Sequence, residues 1–148
     1  MTRDTLWLTA PPRPVLPELT EQNTGFWTAG RGGRLVFTRC QACHRYIHPG
    51  APICDACLSR NVAEEPVSGR GVVVAFTVNR QAWVAGMEKP FVISIVEMVE
   101  QRGLNLTTNI VNCSLGDVHI GQTVQVLFEQ SEEIWLPLFE PSSLRNPS

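Results

Sequence analysis

The sequence lacks the apolar segments that would place a protein in a membrane or direct it out of the cell. None of its hydrophobic runs approaches the roughly 18–20 residues of a membrane-spanning helix. The first residues, Met1 to Leu6, form neither a secretory signal nor an arginine-rich transit peptide. We therefore expect a soluble protein of the cytoplasm.

The sequence also lacks the motifs of several common enzyme classes. It has no nucleophile elbow of the G-x-S-x-G type, and Gly30-Arg31-Gly32-Gly33 does not open a helix after a strand, as a phosphate-binding loop would. Cys113 and His119 could form a thiol–imidazole pair. However, Cys113 follows an alternating strand, where a free cysteine usually acts as a small buried hydrophobe. Asp117 and His119 fall in a predicted turn, which they would cap. We expect a chain that is not a catalyst by itself.

Charged residues make up only 18% of the chain, and the net charge is −2. They are unevenly distributed. Residues 31–80 carry seven arginines against three acids, whereas residues 81–148 carry three basic and eight acidic side chains. A basic segment on an acidic body could face a polyanion or an acidic partner, or it could be a solvated surface.

Four of the five cysteines form two close pairs, Cys40-x-x-Cys43 and Cys54-x-x-Cys57, with ten residues between them. Two such pairs supply the four thiolates that one tetrahedral zinc ion binds at about 2.3 Å. The double pair is a strong signal, whereas a single pair would be a weak one. Because four protein ligands close such a site, the zinc would stabilise the fold and leave chemistry to other groups.

Other interpretations of the cysteines are weaker. The odd number of cysteines and the missing signal peptide disfavour disulfides. A thioredoxin-like pair would open a helix after a strand, and neither pair has that setting. Iron stays open as the metal, because tetrahedral sulfur sites accept both ions. His44 and His48 are near enough in sequence to replace a thiolate, but with four cysteines present we expect them to be surface or packing residues.

Residues 1–32 are predicted to form an extended, proline-rich arm and a short helix. The prolines exclude a helix in the arm, which would lie extended or drape over a partner. Pro17 suits the first position of the helix, and three glycines from Gly30 onward end it. The residues that share one face of this helix are Leu19, Asn23, Phe26 and Trp27.

Residues 63–141 are predicted to form an all-β domain, and residues 142–148 a tail. Runs rich in branched residues predict five strands, at residues 72–78, 91–99, 104–111, 123–128 and 134–139. Pro137 indicates that the fifth is an edge strand. Five strands with a break after the third fit a small OB-type barrel, and the break at 115–121 is too short for more than one helical turn. A β-sandwich fragment is the competing fold, but a closed barrel leaves no exposed edges.

A zinc ribbon joined to an OB barrel also suggests a module that binds single-stranded nucleic acid. Such modules combine a positive groove with aromatic platforms on which bases stack. Here the barrel region is acidic, and its aromatic residues occupy strand positions that also suit a core. Only the arginines of the ribbon favour this alternative.

The order of these motifs resembles the acyl-CoA-associated family of zinc-ribbon and OB-fold proteins. The resemblance runs from Phe26-Trp27 through both cysteine pairs and Gly69-x-Gly71 to Leu136-Pro137-x-Phe139. The family's glycine after the second cysteine is His44 here, and a left-handed turn is more strained without glycine. Residues 106–121 are most similar to the branch that accompanies thiolase-like aldolases of steroid side-chain degradation.

This resemblance implies a mainly β protein in which a short helix precedes a rubredoxin-like zinc ribbon at residues 33–62 and a five-stranded OB-fold barrel. It also implies a non-catalytic subunit that binds a thiolase-fold enzyme acting on acyl-CoA. The enzyme would be a thiolase, a hydroxymethylglutaryl-CoA synthase or a retro-aldolase that cleaves a β-hydroxyacyl-CoA. In some branches an enoyl-CoA hydratase of the hot-dog fold is also attached.

Two sets of residues are candidates for contacts in such a complex. Aromatic anchors are typical of binding hot spots, so the partner-binding candidates are the large apolar residues of short or terminal elements: Phe26, Trp27, Trp83, Leu136 and Phe139. Arginines of the ribbon could neutralise the phosphates of coenzyme A, and the candidates are Arg39, Arg45 and Arg60.

Overall fold

The structure is a computed structural model that describes residues 5–13 and 15–142. Residues 1–4 and Pro14 of the predicted arm, and residues 143–148 of the predicted tail, lie outside the described residues. The described elements are one short helix and eight strands: α1 Thr24–Thr28, β1 Leu35–Cys40, β2 Tyr46–Ile47, β3 Val62–Val67, β4 Arg70–Asn79, β5 Phe91–Met98, β6 Asn105–Ile110, β7 Thr123–Ser131 and β8 Ile134–Pro141.

Helix α1 begins later than the proline and the apolar spacing predict. The backbone N–H of Thr20 donates to Asn23 Oδ1 at 2.6 Å, and the N–H of Asn23 donates to Thr20 Oγ1 at 3.2 Å. This reciprocal pair holds the chain in a turn, because short polar side chains compete with helical hydrogen bonding. A 3-10 turn at Ala29–Gly32 follows the helix. No helix in the described ranges has the length and apolar character needed to cross a bilayer.

The ribbon is a three-stranded antiparallel sheet in the order β2-β1-β3. Strand β3 pairs with β1 along its whole length, from Leu35 opposite Val67 to Cys40 opposite Val62. No strand is predicted for this segment from its sequence, because Glu64, Glu65 and Pro66 are poor strand formers. They are suited to an edge, where charge and proline discourage pairing with another chain.

Strands β4 to β8 form a closed barrel in the order β4-β5-β6-β8-β7, and β7 returns to β4. The predicted five-stranded OB-type barrel is therefore confirmed, and the break after its third strand holds one 3-10 turn at Leu115–Asp117. The prediction that the last strand is an edge was wrong. Strand β8 pairs with β7 throughout and with β6 through Ile110 and Phe139. The Thr108 hydroxyl also donates to Pro137 O at 2.9 Å and bridges this seam.

One hydrophobic core joins the arm, the ribbon and the barrel. Its buried residues include Leu8 of the arm, Phe26 of α1, Phe37 of β1 and Phe139 of β8. A smaller cluster lies inside the ribbon around Cys40, Ile47 and Cys54. The ribbon is thus positioned against the barrel by shared packing.

The described part of the arm packs on its own barrel. Leu8 is fully buried, and its backbone exchanges hydrogen bonds with residues 112 and 113 at 3.0 and 2.8 Å. Farther along, Arg13 Nη2 donates to Asn109 Oδ1 at 2.9 Å, and Arg13 Nε lies 3.4 Å from Glu129 Oε1. Asn109 is on β6 and Glu129 on β7, the two neighbours of β8, so the arm crosses the outer face of β8.

This crossing explains why β8 is buried on both faces. The register pairs Glu129 with Leu136 and Leu127 with Leu138, so both leucines lie on the same outer face as Glu129. They are nevertheless only 9% and 4% exposed. Phe139, on the opposite face, belongs to the barrel core.

Candidate metal centre and its surroundings

The two cysteine pairs form turns of the same local geometry. In the first, the His44 N–H donates to Cys40 O at 2.9 Å, and in the second the Leu58 N–H donates to Cys54 O at 3.0 Å. Both residues that follow a pair are left-handed, with φ of 69° at His44 and 65° at Leu58. The predicted strain at His44 is therefore matched in the second turn, because neither residue is glycine.

These turns bring the four sulfur atoms together. All four Sγ atoms lie within 4.8 Å of one another, and the Cys40–Cys57 and Cys43–Cys54 pairs are each 3.6 Å apart. A tetrahedral ion with sulfur at 2.3 Å requires about 3.8 Å between sulfurs. Cys40, Cys43, Cys54 and Cys57 therefore fit a structural zinc ion, as predicted. When bound, such an ion supplies folding free energy and has no open position for substrate.

Backbone N–H groups favour the thiolate forms of the two buried cysteines, Cys40 and Cys54, and the thiolate is the form that binds metal. The Cys43 N–H donates to Cys40 Sγ at 3.4 Å and lowers the pKa of Cys40 to about 6. The N–H of Cys57 lowers the pKa of Cys54 in the same way. The Ser59 N–H also lowers the pKa of Cys57, but the hydrogen bond to Cys40 and burial outweigh this and raise it to about 12. Metal binding would displace the protons that remain.

Neither nearby histidine belongs to the sulfur cluster. His44 is exposed, and its carbonyl accepts a hydrogen bond from Arg39 Nε at 2.7 Å. The ring of His48 packs against those of Phe26 and Phe37, with centroids 4.9 Å away in each case. The expectation that the histidines are surface or packing residues is met at these positions.

Two of the three candidate arginines of the ribbon form ion pairs with carboxylates. Arg39 lies 3.2 Å from Glu65 and over the ring of Tyr46, and Arg45 lies 3.0 Å from Asp55. Arg60 is exposed and has no ion-pair partner among the described residues. Contact of these arginines with coenzyme A stays a prediction, and the existing ion pairs reduce the charge that Arg39 and Arg45 offer.

Burial divides the five candidate partner-binding residues. Leu136 and Phe139 are 9% and 0% exposed, so they cannot touch a partner without rearrangement, and Phe26 is buried but lines a cavity. They were expected to have little room inside the protein, but the shared core and the arm cover them. Trp27 is half-buried, whereas Trp83 is 72% exposed in the β4–β5 loop. Trp83 is therefore the accessible member of the set.

Cys113 and His119 do not form a hydrogen-bonded pair in the structure. Burial raises the pKa of the Cys113 thiol, which disfavours the thiolate. His119 Nδ1 lies 3.0 Å from Asp117 O, within the turn that both residues were expected to cap.

An apolar outer face of β4, β5 and β6 was not predicted. Ile93 and Ile95 alternate with buried neighbours on β5 and are each 37% exposed. The register places Ala75, Thr77 and Thr107 beside them, and the buried Asn109, which binds Arg13, opposite Ile93. The sequence signal for this face was the alternation along β5, because successive side chains of a strand point to opposite faces and Ile93 and Ile95 therefore share one of them.

Two family models match the chain in succession. Residues 27–63 match "ChsH2, rubredoxin-like zinc ribbon domain", and residues 64–129 match "ChsH2, C-terminal OB-fold domain". A DUF35 domain-containing scaffold protein of Methanocaldococcus jannaschii is 35% identical over 102 residues, which cover 67% of this chain and 70% of that protein. This chain belongs to the DUF35 family.

Two further relatives link DUF35 sequences to larger assemblies. A probable enoyl-CoA hydratase alpha subunit of Thermomonospora curvata is 32% identical over 133 residues, or 88% of this chain. The chain spans only 40% of that protein's length. Among solved structures, a chain of the Ltp2-ChsH2(DUF35) aldolase has a TM-score of 0.76 and 30% identity, with 85% of this chain and 98% of that chain covered.

Proposed function

We propose that this chain is a non-catalytic, zinc-stabilised scaffold subunit that binds a thiolase-fold enzyme acting on acyl-CoA. The partner would be a retro-aldolase that cleaves a β-hydroxyacyl-CoA, with a steroid side chain as the acyl group. The observation that carries this proposal is the similarity to the DUF35 chain of an aldolase complex, which extends over 98% of that chain.

The outer face of the barrel supports a protein partner over the alternative of single-stranded nucleic acid. Oligonucleotides bind OB-folds on the face of the second and third strands, through aromatic platforms and basic side chains. The corresponding strands here, β5 and β6, present Ile93, Ile95 and Thr107 at the centre of that face. Arg13, which binds the adjacent Asn109, is already paired with Glu129, so this mainly apolar face suits a subunit interface better.

In this proposal the partner supplies the nucleophile and the base for carbon–carbon bond cleavage. This chain contributes a rigid platform, because its zinc ribbon and barrel share one core. An enoyl-CoA hydratase is a further candidate partner, because the longer Thermomonospora relative is a probable hydratase subunit; the family resemblance implies the hot-dog fold for it.

Co-expression with a candidate thiolase-fold enzyme would test the proposal. We expect the two chains to co-elute in size-exclusion chromatography, and β-hydroxyacyl-CoA to be cleaved by the complex but not by this chain alone. Substrates with steroid and linear acyl groups would then define the acyl specificity. Cleavage by the isolated chain, or co-elution with no partner enzyme, would overturn the proposal.

A further inference from the structure

A cavity of about 520 Å³ lies where α1, the ribbon and the barrel meet, apart from the metal centre and bordering the outer barrel face at Thr107. Phe26 and Trp27 come from α1, Phe37 and His48 from the ribbon, and Leu106 and Thr107 from β6. Cavities of this size that are lined by aromatic residues and a few polar groups, at the junction of structural units, are typical of small-molecule sites.

We propose that this cavity binds an uncharged, apolar molecule that carries a hydroxyl or carbonyl oxygen. The inference concerns this chain alone and does not depend on the partner enzyme.

The apolar wall is preformed. The ring of Phe26 lies 5.8 Å from that of Phe37 and 4.9 Å from that of His48, and Phe26 meets Trp27 edge to face at 4.8 Å. Phe26, Phe37 and Leu106 are buried in the main core, so they cannot collapse into the cavity without disturbing it. A ligand ring or branched chain would therefore contact a fixed surface.

His48 supplies the directional polar contact. Its ring is held by stacking on Phe37 with an interplanar angle of 24°, and it hydrogen-bonds to no other described residue. Burial lowers the pKa of His48, so the imidazole is neutral near pH 7. A neutral imidazole offers one donor and one acceptor, which suit a hydroxyl or a carbonyl oxygen.

The side chains that line the cavity disfavour anionic ligands. Among the described residues that line the cavity, the only ionisable side chains are His48 and Glu64, and none is an arginine or a lysine. A phosphate or carboxylate would lose its hydration without gaining a cationic partner, and the carboxylate of Glu64 would repel it.

Three naphthalene probes of equal ring size would test this inference by titration calorimetry on the zinc-loaded full chain. We expect naphthylmethanol to bind at least tenfold tighter than naphthoate. His48→Phe keeps an aromatic ring, so it should weaken naphthylmethanol about three- to tenfold, as expected for one lost hydrogen bond, and leave unsubstituted naphthalene unchanged. Thr107→Trp should fill the cavity and abolish binding of both uncharged probes.

Thr77→Trp is the matched control, because Thr77 is also an exposed threonine of the outer barrel face but lies on β4 and outside the cavity. Nuclear Overhauser contacts between the probe and the rings of Trp27 and His48 would locate the site in the unsubstituted protein, even if a variant failed to fold. Absence of saturable binding by either uncharged probe, or equal affinity for naphthoate, would overturn the inference. So would unchanged affinity of the Thr107→Trp protein for both uncharged probes.

Discussion

The side-chain amide of Gln101 hydrogen-bonds to both backbone polar groups of Tyr46. The Tyr46 N–H donates to Gln101 Oε1 at 2.8 Å, and Gln101 Nε2 donates to Tyr46 O at 3.0 Å. Gln101 lies in the β5–β6 hairpin of the barrel, and Tyr46 begins β2, one of the two edge strands of the ribbon sheet. One side chain thus takes the place of a neighbouring strand and fixes the ribbon edge to the barrel.

We expect Gln101→Ala to lower the free energy of unfolding by about 1–3 kcal/mol, because both polar groups of Tyr46 lose a partly buried partner. Urea unfolding would measure it. Gln101→Glu should also destabilise, since a carboxylate accepts from the Tyr46 N–H but faces its carbonyl oxygen. Gln130→Ala is the control, because Gln130 is exposed and bonds only within its own hairpin. Equal stability of the Gln101→Ala and Gln130→Ala proteins would contradict a locking role.

The zinc centre predicts that Cys40→Ser and Cys57→Ser remove the metal, whereas Cys113→Ala retains it. The first two residues belong to the sulfur cluster and the third does not. Structural zinc contributes folding free energy directly, so metal loss should lower the midpoint of thermal unfolding. Metal content by plasma emission spectrometry, expected at one zinc per chain, and calorimetric melting check both parts. An unchanged melting curve in a metal-free protein would exclude a structural ion.

The features that could be predicted from the sequence are those encoded within short segments, whereas features that depend on distant contacts were missed. The four cysteines and the barrel strands are encoded in short spacings and branched runs, and both predictions are confirmed. Strand β3 was missed, because its stability comes from pairing with β1 and not from the propensity of Glu64, Glu65 and Pro66. The burial of Leu136 was also missed, because it depends on an arm more than 100 residues away in sequence.

That covering arm leads to a prediction for Arg13, which joins β6 to β7 across β8. Arg13→Ala should destabilise the protein by about 1–2 kcal/mol, mainly by removing the donor that Arg13 provides to the buried Asn109 Oδ1. The ion pair with Glu129 is partly exposed and should add little. Arg31→Ala, at an exposed position of the 3-10 turn, is the control. Binding of a hydrophobic dye to the folded Arg13→Ala protein would report exposure of Leu136 and Leu138.

The buried imidazole of His48 predicts a pH dependence of stability. Burial lowers its pKa below the ordinary value of 6.5, so below about pH 6.5 the unfolded chain binds more protons at this residue than the folded chain. Stability should therefore rise with pH up to about 6.5 and then level, with a slope below about 1.4 kcal/mol per pH unit. His48→Phe should flatten this part of the curve. Zinc release contributes equally to the stability of both proteins, so it cancels when their unfolding free energies are subtracted. Parallel curves of stability against pH for the wild type and His48→Phe would contradict the prediction.

Trp83 provides the sharpest test of the partner surface. It is 72% exposed, and its Nε1 donates to Asn79 Oδ1 at 3.0 Å, which orients the indole at the end of the apolar face of β4 and β5. Because an aromatic anchor contributes more than its neighbours, Trp83→Ala should weaken binding of the proposed thiolase-fold partner about tenfold or more without changing the melting temperature of the isolated chain. The wild-type complex should persist in about 0.5 M salt, since an apolar interface is less sensitive to salt than nucleic-acid binding.

Phe139→Ala is the contrasting variant. Phe139 fills the barrel core, so its truncation should destabilise the chain by about 3–5 kcal/mol. Surface plasmon resonance beside calorimetric melting separates the two effects. If Trp83→Ala bound the partner normally, the interface would have to lie elsewhere on the barrel or the ribbon. Tight, salt-sensitive binding of single-stranded DNA or RNA with no stable partner enzyme would instead favour the nucleic-acid module.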